Sequence, residues 1–126
     1  MSTKDIGLTG EALAEAFLKK QGYRIVERNF RCRFGEIDII AFQKGVVCFI
    51  EVKTRSSDQF GSPLEAVTKT KQRRMVLLAN YYLHKKKAKP APPCRFDVVS
   101  ILMDTDQPRI DLITNVIVTE FRRPIK

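Results

Sequence analysis

Apolar positions recur along this chain with two periods, and the switches between them mark the elements. Leu8, Ala12, Leu13, Ala16 and Phe17 share one face at helical spacing, which predicts a first helix over about residues 8–20. Thr9 or an earlier polar residue is the expected cap. Gln21-Gly22 ends the helix, with Lys19 and Lys20 in the last turn where cations suit the dipole. Residues 23–31 alternate as a strand. Two apolar runs follow, residues 35–41 and 46–53, joined at Gln43-Lys44-Gly45 and so expected to form a hairpin. Ser62-Pro63-Leu64-Glu65 reads as a capping box with proline at the first helical position. Thr68 and Thr70 offer a second start, from which residues 71–86 form a long helix with Met75, Leu78, Ala79, Tyr82 and Leu83 on one face. Prolines 90, 92 and 93 stop it. Residues 95–102 are strand-like, residues 104–108 turn, and a last strand over residues 110–113 and 116–118 is broken at Thr114-Asn115.

The order helix, three strands, helix, two strands predicts an α/β fold, a central mixed β-sheet flanked by helices with the hairpin near its middle. At 126 residues the chain is long enough for one domain with a real core.

The hairpin breaks its own apolar pattern. Asp38, Glu51 and Lys53 stand among Ile, Val and Phe, where ionised groups are costly without a task. Strand alternation places Glu36, Asp38 and Ile40 on one side and Ile37 and Ile39 on the other. On the second strand Phe49, Glu51 and Lys53 share a face, with Cys48, Ile50 and Val52 opposite. Antiparallel closure then sets Asp38 beside Glu51, with Lys53 one step further on. Two carboxylates so placed repel unless a cation joins them. Lys53 alone would make a structural ion pair. A divalent ion does better, and Asp and Glu oxygens suit Mg²⁺ or Mn²⁺ rather than zinc. A water activated by such an ion and oriented by Lys53 would attack a phosphodiester.

Charge sharpens this. The chain carries 23 Lys+Arg against 14 Asp+Glu, a net +9, which favours a polyanionic partner and above all nucleic acid. Arg24, Arg28, Arg31 and Arg33 form either a solvated face or a phosphate-binding rim. Cys32, Cys48 and Cys94 are too scattered, beside the single His84, for a zinc site or a disulfide framework, so a reducing cytoplasm is expected. No secretory signal and no membrane-length apolar run is seen. The absence of Trp and the basic composition speak against a carboxylate-pair glycosidase. Glu11, close to the expected helix start beside Gly10, reads by itself as an acid favoured by the helix dipole.

Taken together, Gly10-Glu11 with Ala14, Gly22-Tyr23, Asn29, Gly35-Glu36-Ile37-Asp38-Ile39-Ile40-Ala41 and Phe49-Ile50-Glu51-Val52-Lys53 with Arg55 resemble the PD-(D/E)xK nuclease superfamily. Phe60-Gly61, Ala66-Val67, Lys71, Arg74, Tyr82-Leu83 and Arg95-Phe96-Asp97-Val98-Val99 extend the likeness over nearly the whole chain. It is nearest to the Holliday-junction-resolvase-like, or tRNA-endonuclease-like, branch, and within it to the YraN-like family of small bacterial proteins. The proline of the superfamily's name is replaced by Ile37.

The resemblance implies a restriction-endonuclease-like fold and a Mg²⁺- or Mn²⁺-dependent endonuclease acting on DNA, including branched or structured DNA. By position, Asp38 and Glu51 would be metal ligands with the Val52 carbonyl a third oxygen, and Lys53 the catalytic lysine. Glu11 would be the helical acid that touches the metal or its water. Arg31, Arg33, Arg55, Lys71, Gln72 and Arg74 would contact nucleic acid. A homodimer would suit the cutting of two strands. The competing expectation is a nucleic-acid-binding protein or repair-complex subunit that keeps the fold without catalysis.

Overall fold

The computed structural model describes residues 3–55, 68–88, 90, 92–103 and 107–116, the side chains of residues 3–9 excepted. Its elements are α1 (Thr3–Lys20), β1 (Arg24–Cys32), β2 (Gly35–Gln43), β3 (Val46–Arg55), α2 (Lys69–Lys85), β4 (Cys94–Leu102) and β5 (Arg109–Ile113). The order is the expected one. The capping box at residues 62–65 and the turn at residues 104–106 lie outside the described residues.

α1 begins at Thr3, several residues before the expected start. Thr9 therefore lies inside the helix, and Glu11 falls about two turns in, where the terminal dipole has faded. The helix ends where its sequence says it should. Gly22 adopts φ +91°, Tyr23 N–H donates to the Leu18 carbonyl at 3.0 Å and Gly22 N–H to the Lys19 carbonyl at 3.1 Å. This pair of bonds satisfies the last carbonyls as a Schellman cap does. α2 starts on Thr68, whose hydroxyl accepts the Lys71 N–H at 3.1 Å.

The sheet has five strands in the order β1-β2-β3-β4-β5. Only the central pair, β3 and β4, is parallel, and α2 lies in the crossover between them. The helices cover opposite faces. α2 buries Met75, Leu78, Tyr82 and Leu83 against Ile37, Ile40, Phe49, Phe96 and Val98. The Tyr82 ring stands edge-on to Phe30 at 5.1 Å and to Phe49 at 5.9 Å, and Phe49 stacks on Phe96 at 5.4 Å. α1 buries Ala14 and Leu18 against Ile39, Ala41, Cys48, Ile50 and Val99. It comes close to β3 at Gly10, where an added Cβ would stand 2.1 Å from Thr54 Oγ1.

One expectation fails in a way that shapes the site. Ile37 packs with Ile40 on the α2 face, whereas Ile39 packs with Ala41 on the α1 face. Strict alternation would put Ile37 with Ile39. β1 shows the same break: Arg28 reaches Glu15 on α1, but Phe30, two residues on, packs on Tyr82 of α2. The pairs Arg28↔Ile39 and Phe30↔Ile37 bracket Asn29 and Asp38, and Asn29 is left-handed at φ +53°. The pleat thus changes phase across two neighbouring strands at the position of Asp38.

A buried polar cluster stitches the α1 side of the sheet. Asp97, wholly buried on β4, accepts from Arg95 Nε at 3.1 Å, from the Tyr23 hydroxyl at 3.1 Å and from Asn115 N–H at 2.9 Å. Arg95 also donates to Tyr23 Oη at 2.9 Å and to Gln43 Oε1 at 2.8 Å. A buried charge so fully satisfied is tolerable, and it ties β2, β4, the residue just ahead of β1 and the segment after β5 together. Among the described residues no helix is long and apolar enough to cross a membrane.

Candidate metal centre

The β2–β3 hairpin closes through Lys44 and Gly45, with φ +49° and +81°. Two left-handed central residues make a turn whose twist matches the strands. Pairing runs from Gln43↔Val46 to Ile39↔Ile50, so the next step sets Asp38 against Glu51. There the regular ladder stops. Asp38 Oδ2 instead accepts the backbone N–H of Val52 at 2.8 Å.

Burial raises the Asp38 pKa to about 6; the Val52 hydrogen bond opposes this, and the charges of Glu11, Glu51 and Glu36 add to it. Glu51 is held from two sides. Its Oε1 meets the ammonium of Lys71 from α2 and that of Lys53 at 3.4 Å from its own strand. Its Oε2 is buried with no hydrogen-bond partner among the described residues.

Asp38, Glu51 and Lys71 line a cleft of ≈ 480 Å³ between the end of the hairpin and the start of α2, whereas Lys53 is not part of its lining. Glu36, Asp38, Glu51, Lys71 and Arg74 give it charge, and Ile37, Ile50, Met75 and Leu78 give it an apolar floor. Gly35, at φ +134°, lets the turn from β1 pass close to the Arg74 stem, 3.5 Å from where a Cβ would be.

The residues fit a hard dication in part. A carboxylate oriented by a backbone N–H and a buried, partnerless carboxylate oxygen are oxygen donors with capacity to spare. Among the described residues, however, no three His, Cys, Asp or Glu side chains are gathered closely enough to hold a metal. Glu11 therefore reaches Asp38 by its charge rather than as a third ligand already in place. For Val52 the contact seen is its N–H on Asp38.

The expected nucleic-acid residues divide. Lys71 and Arg74 line the cleft with the acids. Arg31 is paired with Glu36 at 2.8 Å. Arg33 is exposed at the β1–β2 turn, its guanidinium 5.0 Å from the Phe34 ring centroid. Arg55 donates to Ser100 Oγ on β4 at 3.4 Å, and Gln72 is half-buried on α2. None of these four is part of the cleft lining.

The direct grip of Lys71 on Glu51 does not follow from the sequence pattern. A signal is nonetheless present: α2 has no acidic residue in its first turn and carries Lys69 and Lys71 there, the reverse of what the dipole favours. Asn29 is equally readable as a residue that tolerates positive φ.

Fold and site together define an α/β protein with an oxygen-donor cleft at the open end of its central hairpin. Comparison with known proteins agrees on kinship. A family model described as "Uncharacterised protein family UPF0102" matches residues 10–101. A UPF0102 protein of Caldicellulosiruptor saccharolyticus is 46% identical over 112 residues, covering 89% of this chain and 94% of that one. One from Clostridium perfringens is 50% identical over 109 residues (86% and 88%), and one from Hahella chejuensis 55% over 95 residues (75% and 76%). The chain belongs to the UPF0102 family, the YraN-like family.

Proposed function

We propose that this protein is a divalent-metal-dependent endonuclease that hydrolyses phosphodiester bonds in DNA, branched or structured DNA among its substrates. The observation that carries the reading is the buried, partnerless Oε2 of Glu51, a residue that lines the same cleft as Asp38, with Lys53 on the other Glu51 oxygen. Asp38 and Glu51 would hold Mg²⁺ or Mn²⁺, with Val52 and Glu11 completing or tuning the site. When bound, the ion supplies Lewis acidity toward the scissile phosphate. The chain does the rest. Val52 N–H fixes the carboxylate plane of Asp38. The Lys53 ammonium offsets negative charge that builds on the phosphate. Arg74 and the start of α2 place the backbone of the substrate, and the net charge of +9 draws it in. The free thiols Cys32, Cys48 and Cys94 suit a reducing cytoplasm. A homodimer would present two clefts to two strands, which sedimentation with and without a junction would show.

The test is a cleavage panel of single-stranded, duplex and four-way-junction DNA in Mg²⁺ and Mn²⁺, run beside Glu51→Ala and Lys53→Ala. Cutting by the wild type alone is the expected result. Failure of the wild type to bind either ion, or equal cutting by the folded variants, removes the proposal. A second reading is favoured by the two lysines already neutralising Glu51: a DNA-binding protein without catalysis. It requires binding that weakens with salt and ignores EDTA.

A further inference from the structure

Lys71 reaches the site from across the cleft. Its backbone is fixed in the first turn of α2, where its N–H bonds Thr68 Oγ1 at 3.1 Å. Its ammonium meets Glu51 Oε1, the same oxygen that receives Lys53 at 3.4 Å. One oxygen of Glu51 thus has two cations, while Oε2 is buried and has no partner among the described residues. The charge of the carboxylate is answered, but its second oxygen is not.

The two lysines differ in how firmly they are tied to this place. Lys53 is two residues from Glu51 on the same strand and face, so the backbone keeps it near in any state of the site. Lys71 comes from another element on a flexible four-carbon stem. It also has an alternative. The first turn of α2 carries no acid, its peptide N–H groups sit at the positive end of the helix, and Thr68, Thr70 and Arg74 line the cleft beside it. Such a helix end favours an anion, and a phosphate there would draw the ammonium away from Glu51.

We propose that Lys71 is an exchangeable counter-ion. It neutralises Glu51 while that carboxylate holds no metal, and turns to a substrate phosphate beside Arg74 when a dication occupies the acids. An ammonium and a dication on one carboxylate repel at short range, so each weakens the other's hold. Removing Lys71 from Glu51 frees it for phosphate, so metal and nucleic acid bind with positive coupling, equal in both directions. This inference rests on the divalent-metal reading of the site.

The experiment titrates Mn²⁺ calorimetrically into DNA-free wild type, Lys71→Met and Lys71→Gln. It also follows binding of a labelled four-way-junction DNA against salt, in EDTA and in Ca²⁺. Both variants should bind Mn²⁺ about 5- to 10-fold tighter than wild type, a coupling of the usual size. In Ca²⁺ their salt slope should fall by about 1, because one phosphate is no longer neutralised, with no change in EDTA. Equal or weaker Mn²⁺ binding by the variants overturns the exchange and leaves the metal site standing. The same slope change in EDTA as in Ca²⁺ also overturns it, since Lys71 would then touch DNA in either state. A wild type that binds no Mn²⁺ overturns both the exchange and the metal reading.

Discussion

The Asp38 carboxylate accepts the backbone N–H of Val52 at 2.8 Å, just where the β2–β3 ladder ends. A side chain thereby does what a strand carbonyl would do, and the acid is kept oriented although its burial disfavours its charge. Asp38→Asn keeps an oxygen for that N–H and removes the charge. The metal-free variant should be more stable than wild type by about 3 kcal/mol at pH 8, while Mn²⁺ binding is lost. The folded pKa of about 6 lies above the ordinary 3.8, so the charge destabilises the fold fully above about pH 6 and not at all below about 3.8. Thermal melts of both proteins from pH 4 to 8 should show the gap opening as pH rises. A constant gap would contradict this.

Asn29 holds φ +53° opposite Asp38, where both strands change pleat phase. Asn29→Gly should be nearly neutral, whereas Asn29→Ala should cost about 1 kcal/mol, because a Cβ without a local hydrogen bond is disfavoured there. Denaturant melts of the pair check it; equal stability of the two variants would mean that the left-handed backbone is not what matters.

At Gly10 the α1 backbone approaches Thr54 so closely that a methyl group has no room. Gly10→Ala gains helix propensity of about 1 kcal/mol but meets Thr54 Oγ1, Cβ and Cγ2 together. Overpacking of this kind costs about 1–3 kcal/mol. The variant should melt lower than wild type, and adding Thr54→Ala should restore most of the deficit. No rescue would place the cost elsewhere.

The cluster around Asp97 carries a larger stake. Asp97→Ala leaves Arg95 without its carboxylate partner in a half-buried place and should destabilise by about 3–5 kcal/mol. Tyr23→Phe removes one of several partners and should cost about 1 kcal/mol. Urea titrations would rank them, and a reversed order would show that the hydroxyl, not the ion pair, holds the cluster.

Glu15 links α1 to β1 through Arg28, and that guanidinium, helped by Lys19, lowers its pKa from 4.5 to about 2. A depressed acid stabilises the fold above its unfolded pKa and loses that contribution as pH falls from about 4.5 toward 2. Both cations are more than half exposed, so Glu15→Gln should lower Tm by only about 2 °C at pH 7. The difference should vanish near pH 2; a difference that survives there would be packing.

Much of the fold is legible in the sequence because local chemistry and burial agree. Gly22, Thr68 and Lys44-Gly45 end or turn elements by their own backbone preferences, and the α2 stripe of Met75, Leu78, Tyr82 and Leu83 is buried as its spacing says. β3 keeps strict alternation, so Glu51 and Lys53 fall on the face that the pattern assigns them. β2 departs from its pattern at Ile37, since period-2 alternation assumes an unbroken pleat and Asn29 breaks it. Lys71 reads from sequence as a nucleic-acid contact, because a charge at a helix start has no visible partner until β3 is packed beneath it. The Asp97 cluster shows in the sequence only as a lone acid in Phe96-Asp97-Val98-Val99. Such an acid signals a buried partner, but its partners lie up to 74 positions away.

The site also stands on a seam. Asp38 feels Glu11 from the helix packed on one face of the sheet, and Glu51 meets Lys71 from the helix packed on the other. Each helix buries its own apolar cluster, and neither cluster alone assembles both acids with their neighbours. A half-folded chain, with one face dressed and the other bare, would carry only a fragment of the constellation. The geometry therefore acts as a certificate of completed folding: whatever chemistry the cleft performs is withheld from every partly structured form of the chain.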